Sequence, residues 1–387
     1  MALTKPRPTL KSLAQGLGLS VSTVSKALKG APDVGAQTIK TVRQAAQAAG
    51  YEPDLRGVKL RTGRTFQLYY QKAVAPMQDV PDGIVAAQIE TIAGSLAGTP
   101  YQLQIVPWNT ATEDPLPAIR RIVKGRLADG IVLDTTQPQD PRVRYLLEHN
   151  VPFVTFGRTE LVSEHPYVDA DNENAAWVAT QHLIRRGHRR IALISPPLTY
   201  TYALQRRRGY WAALRQAGLP VDPALLCEGV QDARVARAMA RQLAGMADAP
   251  TGYVCANEVS TLGVMAGLRD AGRTPGTDVE LVSRDGAAIS SYMFPPPPTL
   301  FLDIRTVART LCEFLLRRIQ GEPAEALQRI LPCELRYSGL LRESADEQRD
   351  LTVFQFGSNA EPVPNPVLQA ASLPQGDGFA ATPEPLS

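Results

Sequence analysis

Val21, Ser22, Ser25 and Lys26 share one face of a helix if residues 20–30 are helical, as Ser20-Val21-Ser22-Thr23-Val24-Ser25-Lys26-Ala27-Leu28-Lys29-Gly30 reads. Small hydroxyls and one amine on an exposed helix face suit a groove lined with phosphates and base edges. Two elements must position that face. Leu10, Leu13, Ala14 and Leu17 recur at helical spacing and predict a first amphipathic helix. Gly18 supplies a turn at positive φ, and Ser20 is a natural N-cap for the second helix, which is expected to bury Val24 and Leu28. Two short helices across a glycine turn form a helix-turn-helix unit, which points to DNA.

Charge supports this reading. The net charge of +3 conceals eleven Lys and Arg against three Asp and Glu up to Arg64, a basic head of +8 on an acidic remainder of −5. That is the electrostatic footprint of a nucleic-acid reader. The four cysteines, Cys227, Cys255, Cys312 and Cys333, have no metal-ligand spacing and are expected as free thiols in a reducing, cytoplasmic setting. No stretch approaches the roughly 20 apolar residues of a membrane span, and no signal peptide is read, so no membrane partner is expected.

From Phe66 onward, apolar runs alternate with amphipathic helices, the mark of parallel α/β architecture. Strands are predicted over 66–70, 101–106, 130–134 and 151–156, with helices over 84–97, 117–124 and 143–149. A second series begins near Tyr167, with helices at 174–186, 203–217, 235–246 and 262–271 and strands at 191–195, 252–256 and 278–283. Two series make two lobes with a crevice at the strand carboxyl ends. Polar residues just past strand ends are the ligand candidates: Asp134 with Thr135 and Thr136, Gly157 with Arg158, and Asp169 with Asp171. Catalytic chemistry is not expected. His149, His165, His182 and His188 lack metal-ligand spacing, and no Gly-x-Ser-x-Gly elbow, Walker loop or G-x-G-x-x-G after a strand is present. Neither metal nor cofactor is therefore predicted.

The stretch 20–30 resembles the recognition-helix signature of the LacI/GalR family of bacterial transcriptional regulators, and Leu60-Arg61-Thr62-Gly63-Arg64-Thr65 is similar to that family's linker. The likeness runs from about Thr9 to about Leu341. It implies an N-terminal helix-turn-helix (all-α) head plus an α/β two-lobed periplasmic-binding-protein-like core. Residues 1–53 form the DNA-binding domain, including a third helix over 38–49, and 54–65 the hinge. Residues 66–341 form the effector-binding and dimerisation core, and 342–387 a disordered tail. The chain is expected to cross between lobes near Arg158, Pro295 and Gly321.

The resemblance sets Val21, Ser22 and Lys26 against base edges, where Val21 suits a thymine methyl and Lys26 a guanine. Thr9, Ser20, Thr23, Ser25 and Lys29 join the DNA-contacting set, with hydroxyls placed for phosphates. Leu60 matches the leucine that family hinge helices push into the minor groove, although Gly57-Val58-Lys59 replaces the usual Ala-Arg-x. Arg206 matches the first residue of an R-x-x-G-[FY] motif that binds effector, Asn257 an A-N-D motif with Glu258 for Asp, and Asp285 the acid of a G-x-D segment with Ser283 for Gly. Such residues bond vicinal hydroxyls, so a mono- or oligosaccharide is the expected effector. Tyr69, Tyr70 or Phe156 would stack on its ring; Tyr70, Asp134, Phe156, Arg158 and Asp171 complete the predicted effector set with Arg206, Asn257 and Asp285. The resemblance also implies a homodimer on a near-palindromic double-stranded operator, in the bacterial cytoplasm at the nucleoid. Two rivals remain: a sugar-processing enzyme, and a sugar-transport binding protein, which would carry an export signal and no basic head.

Overall fold

The computed structural model describes residues 8–28, 30–51, 63–74, 83–110, 112–230 and 232–337. Lys29, the Gly57–Leu60 hinge pattern and the tail 342–387 lie outside the described residues. All described residues but Tyr337 belong to one compact unit, Met1–Arg336.

In the head, α1 (Leu10–Leu17) is capped by Thr9, whose hydroxyl accepts from Ser12 N while Ser12 Oγ accepts from Thr9 N. Gly18 at φ 64° ends the helix, a left-handed conformation that favours glycine. Ser20 Oγ accepts from Thr23 N at 3.0 Å and opens α2 (Val21–Leu28), and α3 (Ala36–Ala48) closes the head. Leu13, Ala14, Val24, Ala27, Val42 and Ala46 form its core, with Leu28 half-buried against them. Ala27, one position earlier than Leu28, is thus the fully buried partner of Val24.

The remaining described residues form two sheets. The first holds β1 (Gln67–Val74), β2 (Gln102–Asn109), β3 (Gly130–Leu133), β4 (Phe153–Phe156), β5 (Tyr167–Ala170) and β11 (Gln328–Leu331). Its order is β11-β5-β4-β3-β1-β2, parallel throughout. Alternation along β3 serves two cores. Val132 packs with α4 (Gly83–Ser95) and α11 (Ile304–Ile319), and Ile131 and Leu133 with α5 (Leu116–Lys124) and α6 (Pro141–Glu148). The second sheet contains β6 (Ile191–Ile194), β7 (Leu226–Cys227), β8 (Gly252–Cys255), β9 (Glu280–Asp285), β10 (Thr299–Phe301) and β12 (Glu334–Arg336). Their order is β12-β10-β9-β8-β6-β7, with only β12 antiparallel to its neighbour. Helices α7 (Asn172–Arg185), α8 (Thr201–Gln216), α9 (Ala233–Ala244) and α10 (Glu258–Asp270) flank it.

The crossings differ from the sequence expectation. Tyr167–Ala170 is a strand of the first sheet, so the chain first changes lobe at Asp171 and not near Arg158. The second crossing is Leu302–Asp303, after the proline run and β10, because α11 packs back on the first sheet. The third is Pro332–Cys333, between β11 and β12, well past Gly321. Strand-and-helix alternation does not reveal which sheet a short strand joins, and the α11 helix and final strands lay outside the predicted series.

The glycine of the R-x-x-G-[FY] motif has a packing role. A Cβ on Gly209 would stand 1.9 Å from the carbonyl oxygen of Glu173, where α8 crosses α7, and the Tyr210 hydroxyl donates to Ile191 O at 2.7 Å. Gly209→Ala should cost about 3 kcal/mol, overpacking outweighing the ~1 kcal/mol gain in helix propensity. Urea denaturation of the variant checks this; an unchanged midpoint would refute the account.

Candidate DNA interface and ligand crevice

On the head, Val21 and Ser22 are exposed, and Val21 retains 44% of its surface to solvent. Lys26 is also exposed and ion-pairs with Asp33, whose carboxyl this contact holds below the usual range. Thr9, Ser20 and Thr23 hydroxyls are engaged in capping, with Ser20 Oγ and Thr23 Oγ1 2.8 Å apart. Ser25 is half-buried. The structure therefore gathers Val21, Ser22 and Lys26 on one open face and gives the hydroxyls of Thr9, Ser20 and Thr23 local partners.

Between the sheets lies a cavity of about 760 Å³, lined from the carboxyl ends of β1, β3, β4, β5, β6, β8 and β9 and from the first turns of α4 and α8. Strand ends supply its polar groups because ladder bonds stop there and the chain turns. Of the predicted effector set, Asp134, Phe156, Arg206 and Asn257 line it.

Asp134 follows β3. Its Oδ2 accepts from the Tyr70 hydroxyl at 3.3 Å and is ion-paired with Lys72, while Oδ1 accepts from Thr135 Oγ1 at 3.2 Å. The loop carrying it is tied from below by Arg142. That guanidinium, 1% exposed, donates to Asp134 O at 2.9 Å, Thr135 O at 3.1 Å, Gln71 Oε1 at 3.3 Å and both carboxylate oxygens of Asp140. Burial pushes the Asp140 carboxyl up, but the Arg142 charge and its hydrogen bonds outweigh this and hold it below its usual range.

Arg206, on the second turn of α8, donates from Nε to Asn172 Oδ1 at 3.2 Å and from Nη1 to Ala256 O at 3.1 Å. It stacks on Tyr202, 5.0 Å from the ring centroid, and Tyr202 lies parallel to Tyr200 at 5.6 Å. Burial first, then the adjacent Arg284, lower Arg206 to about 10, so it stays protonated at neutral pH. It pairs with neither Asp285 nor Glu258 among the described residues. Asn257 spends Oδ1 on the Ser260 amide as the cap of α10.

Four predicted residues lie outside the lining. Tyr70 is fully buried beneath Asp134 and bonds it along with Gln88. Arg158 grips Asp169 Oδ2 at 2.8 Å, so Asp169 and not Arg158 meets the cavity. Asp171 caps α7 through Asn174 N, and its neighbour Asn172 lines the cavity instead. Asp285 accepts from Ala287 N at 2.9 Å and Ser290 N at 2.7 Å, closing the turn after β9. Side chains alternate along a strand, so Arg284 takes the cavity face that Asp285 was expected to hold. Tyr69 packs in the core with α5 and α6. Sequence reading missed Asn172, Tyr200, Tyr202 and Arg284; the rule of strand-end loops reaches Asn172, two residues past β5, but not Tyr200 and Tyr202, six and eight residues past β6, nor Arg284, which lies inside β9.

Among the described residues no His, Cys, Asp and Glu grouping could hold a metal ion, and no helix is long and apolar enough to cross a membrane. The cysteines are free, with burial pushing Cys227 and Cys312 to about 11 and Cys255 to about 12.

A helix-turn-helix head on a two-lobed, ligand-binding type of core defines a DNA-binding transcriptional regulator. Comparisons with known proteins agree. Residues 180–338 match the periplasmic binding protein-like domain family. The HTH-type transcriptional regulator AglR of Rhizobium meliloti is 34% identical over 71% of this chain and 77% of its own. RafR of Escherichia coli, also an HTH-type transcriptional regulator, is 32% identical over 83% of this chain and 94% of its own. The structure of the transcriptional regulator CelR in complex with cellobiose, 27% identical, superimposes with a TM-score of 0.64 over 86% of this chain and 100% of CelR. The chain belongs to the LacI/GalR family of transcriptional regulators.

The Arg142–Asp140 pair generates a pH prediction. Asp140's carboxyl lies lower in the folded state than unfolded, so its stabilisation is complete above about pH 4 and fades as pH falls. Asp140→Asn should cost about 3 kcal/mol at pH 7 by leaving Arg142 buried and unpaired, with the difference from wild type narrowing in acid. Urea midpoints from pH 7 to pH 3 check this; a difference independent of pH would refute it.

Proposed function

We propose that the chain is a repressor, that two copies of its head read a near-palindromic operator, and that a mono- or oligosaccharide held between its lobes controls that binding. The observation that carries this is the coexistence, in one chain, of an open α2 face and a cavity of about 760 Å³ walled by both lobes. Such a volume suits a sugar of one or two rings. Val21 and Ser22 would meet base edges, and Lys26, exchanging Asp33 for guanine, would add a charged contact. Thr9, Ser20, Thr23, Ser25 and Lys29 would serve phosphates, and Leu60 would wedge the minor groove. CelR, whose structure holds cellobiose, supports a saccharide.

In the cavity, Arg206, Asn257, Asp134 and Asn172 are polar groups of the kind ring hydroxyls need, and Phe156 would supply an aromatic face. Control follows from population shift. The sugar prefers one closure state of the lobes, and the heads of a homodimer follow that state. Coupling is reciprocal, so operator DNA must change sugar affinity by the same factor.

Gel shifts on the DNA upstream of the chain's own gene, with and without sugars, test the reading; no retarded complex at any protein concentration would refute it. Lys26→Ala should weaken specific binding by about 1–3 kcal/mol with little change on unrelated DNA. Equal loss on both in titrations would remove base contact from its role. Arg206→Ala should abolish the sugar response while operator binding persists, and an unaltered sugar dose curve would sink that assignment.

A further inference from the structure

Arg284 sits at the cavity with no counter-charge among the described residues. It is 9% exposed, it lines the cavity, and its side chain makes neither hydrogen bond nor ion pair among the described residues; its Nε is buried without a partner. A buried cation without a counter-charge is costly unless something else supplies one. Arg206 stands in the same wall, and its hydrogen bonds go to two neutral oxygens, those of Asn172 and Ala256. The two guanidinium groups repel, since Arg284 helps to lower Arg206. The carboxylates that line the cavity are already committed, Asp134 to Lys72 and Asp169 to Arg158. Asp285, adjacent in sequence to Arg284, is spent on two backbone amides. Among the described residues, the wall therefore carries two positive charges with which no carboxylate of the cavity pairs.

We propose that the effector is an anionic sugar, and that Arg284, with Arg206 beside it, binds the negative group. A phosphate or carboxylate accepts several charge-assisted bonds from planar guanidinium forks, whereas a hydroxyl leaves most of that charge unmatched. The remaining lining fits the sugar itself: Gln88 Nε2 is a buried donor without a partner, and Phe156 brings an aromatic ring to the wall. This rests on the crevice being the effector site and adds the class of effector.

Calorimetry on the full-length protein, with matched probes, tests the idea: glucose against glucose 6-phosphate and glucuronate, and cellobiose against cellobionate. At least one anionic member should bind tenfold or more tightly than its neutral parent, and its affinity should fall as salt rises. The phosphate and carboxylate arms then say which group is recognised. Arg284→Gln should lose that preference, with tenfold or more weaker binding of the anionic member and less than threefold change for the parent. Arg284→Lys, which keeps the charge, should retain part of the preference, and its melting curve guards against misfolding as the cause. No advantage of any anionic member over its parent, or an undiminished advantage in Arg284→Gln, overturns the proposal. Operator release by a neutral sugar alongside that result would leave the sugar-controlled repressor standing and remove only the charge.

Discussion

Three very short crossings govern the core. The chain passes between sheets at Asp171 alone, at Leu302–Asp303 and at Pro332–Cys333. Segments of one or two residues cannot let the lobes part, but their backbone dihedrals can let one sheet turn against the other. The crevice inherits its composition from this arrangement. Ala170 and Asn172, on either side of the first crossing, both line it, and Asn172 links Asp169 of one lobe to Arg206 of the other. A further bond, Thr201 N to Thr136 O at 2.9 Å, spans the lobes directly. The lining of the cavity and the connection between lobes therefore share the same residues.

Buried cations in the core are handled in graded ways. Arg142 is satisfied within its own lobe and fixes the loop that presents Asp134. Lys72 has a carboxylate at the cavity edge. Arg206 has neutral partners only, and Arg284 has none among the described residues. Passing from the sheet interior to the cavity, each cation relies less on the protein, which is the gradient expected where an exogenous group completes the site.

Much of this was legible in the sequence, for physical reasons. Helical spacing at Leu10, Leu13, Ala14 and Leu17 and the capping chemistry of Ser20 are local, so the head could be read from short windows. Strand and helix alternation found most elements of the core because buried parallel strands are continuous apolar runs. What failed was non-local or offset by one residue. The four-residue strand Tyr167–Ala170 gives no local sign of which sheet it joins. The carboxyl groups of Asp171 and Asp285 looked like ligands in sequence, yet helix and turn amides claimed them. Arg284 was overlooked because its neighbour carried the more familiar chemistry, and strand alternation turns neighbours to opposite faces.

The Lys26–Asp33 contact bears on how the head releases ions. Both side chains are more than half exposed, so the pair adds little to folding. Its carboxylate nonetheless acts as a counterion tethered to the protein. If Lys26 turns to DNA as proposed, the anion it leaves remains attached and is not set free into solution. The entropy gained on meeting the duplex then comes from cations shed by the phosphates, without a matching release of anions from Lys26. Asp33, left bare near a polyanion, would also oppose loose, sequence-blind adherence, sharpening the contrast between a correct site and the rest of the genome.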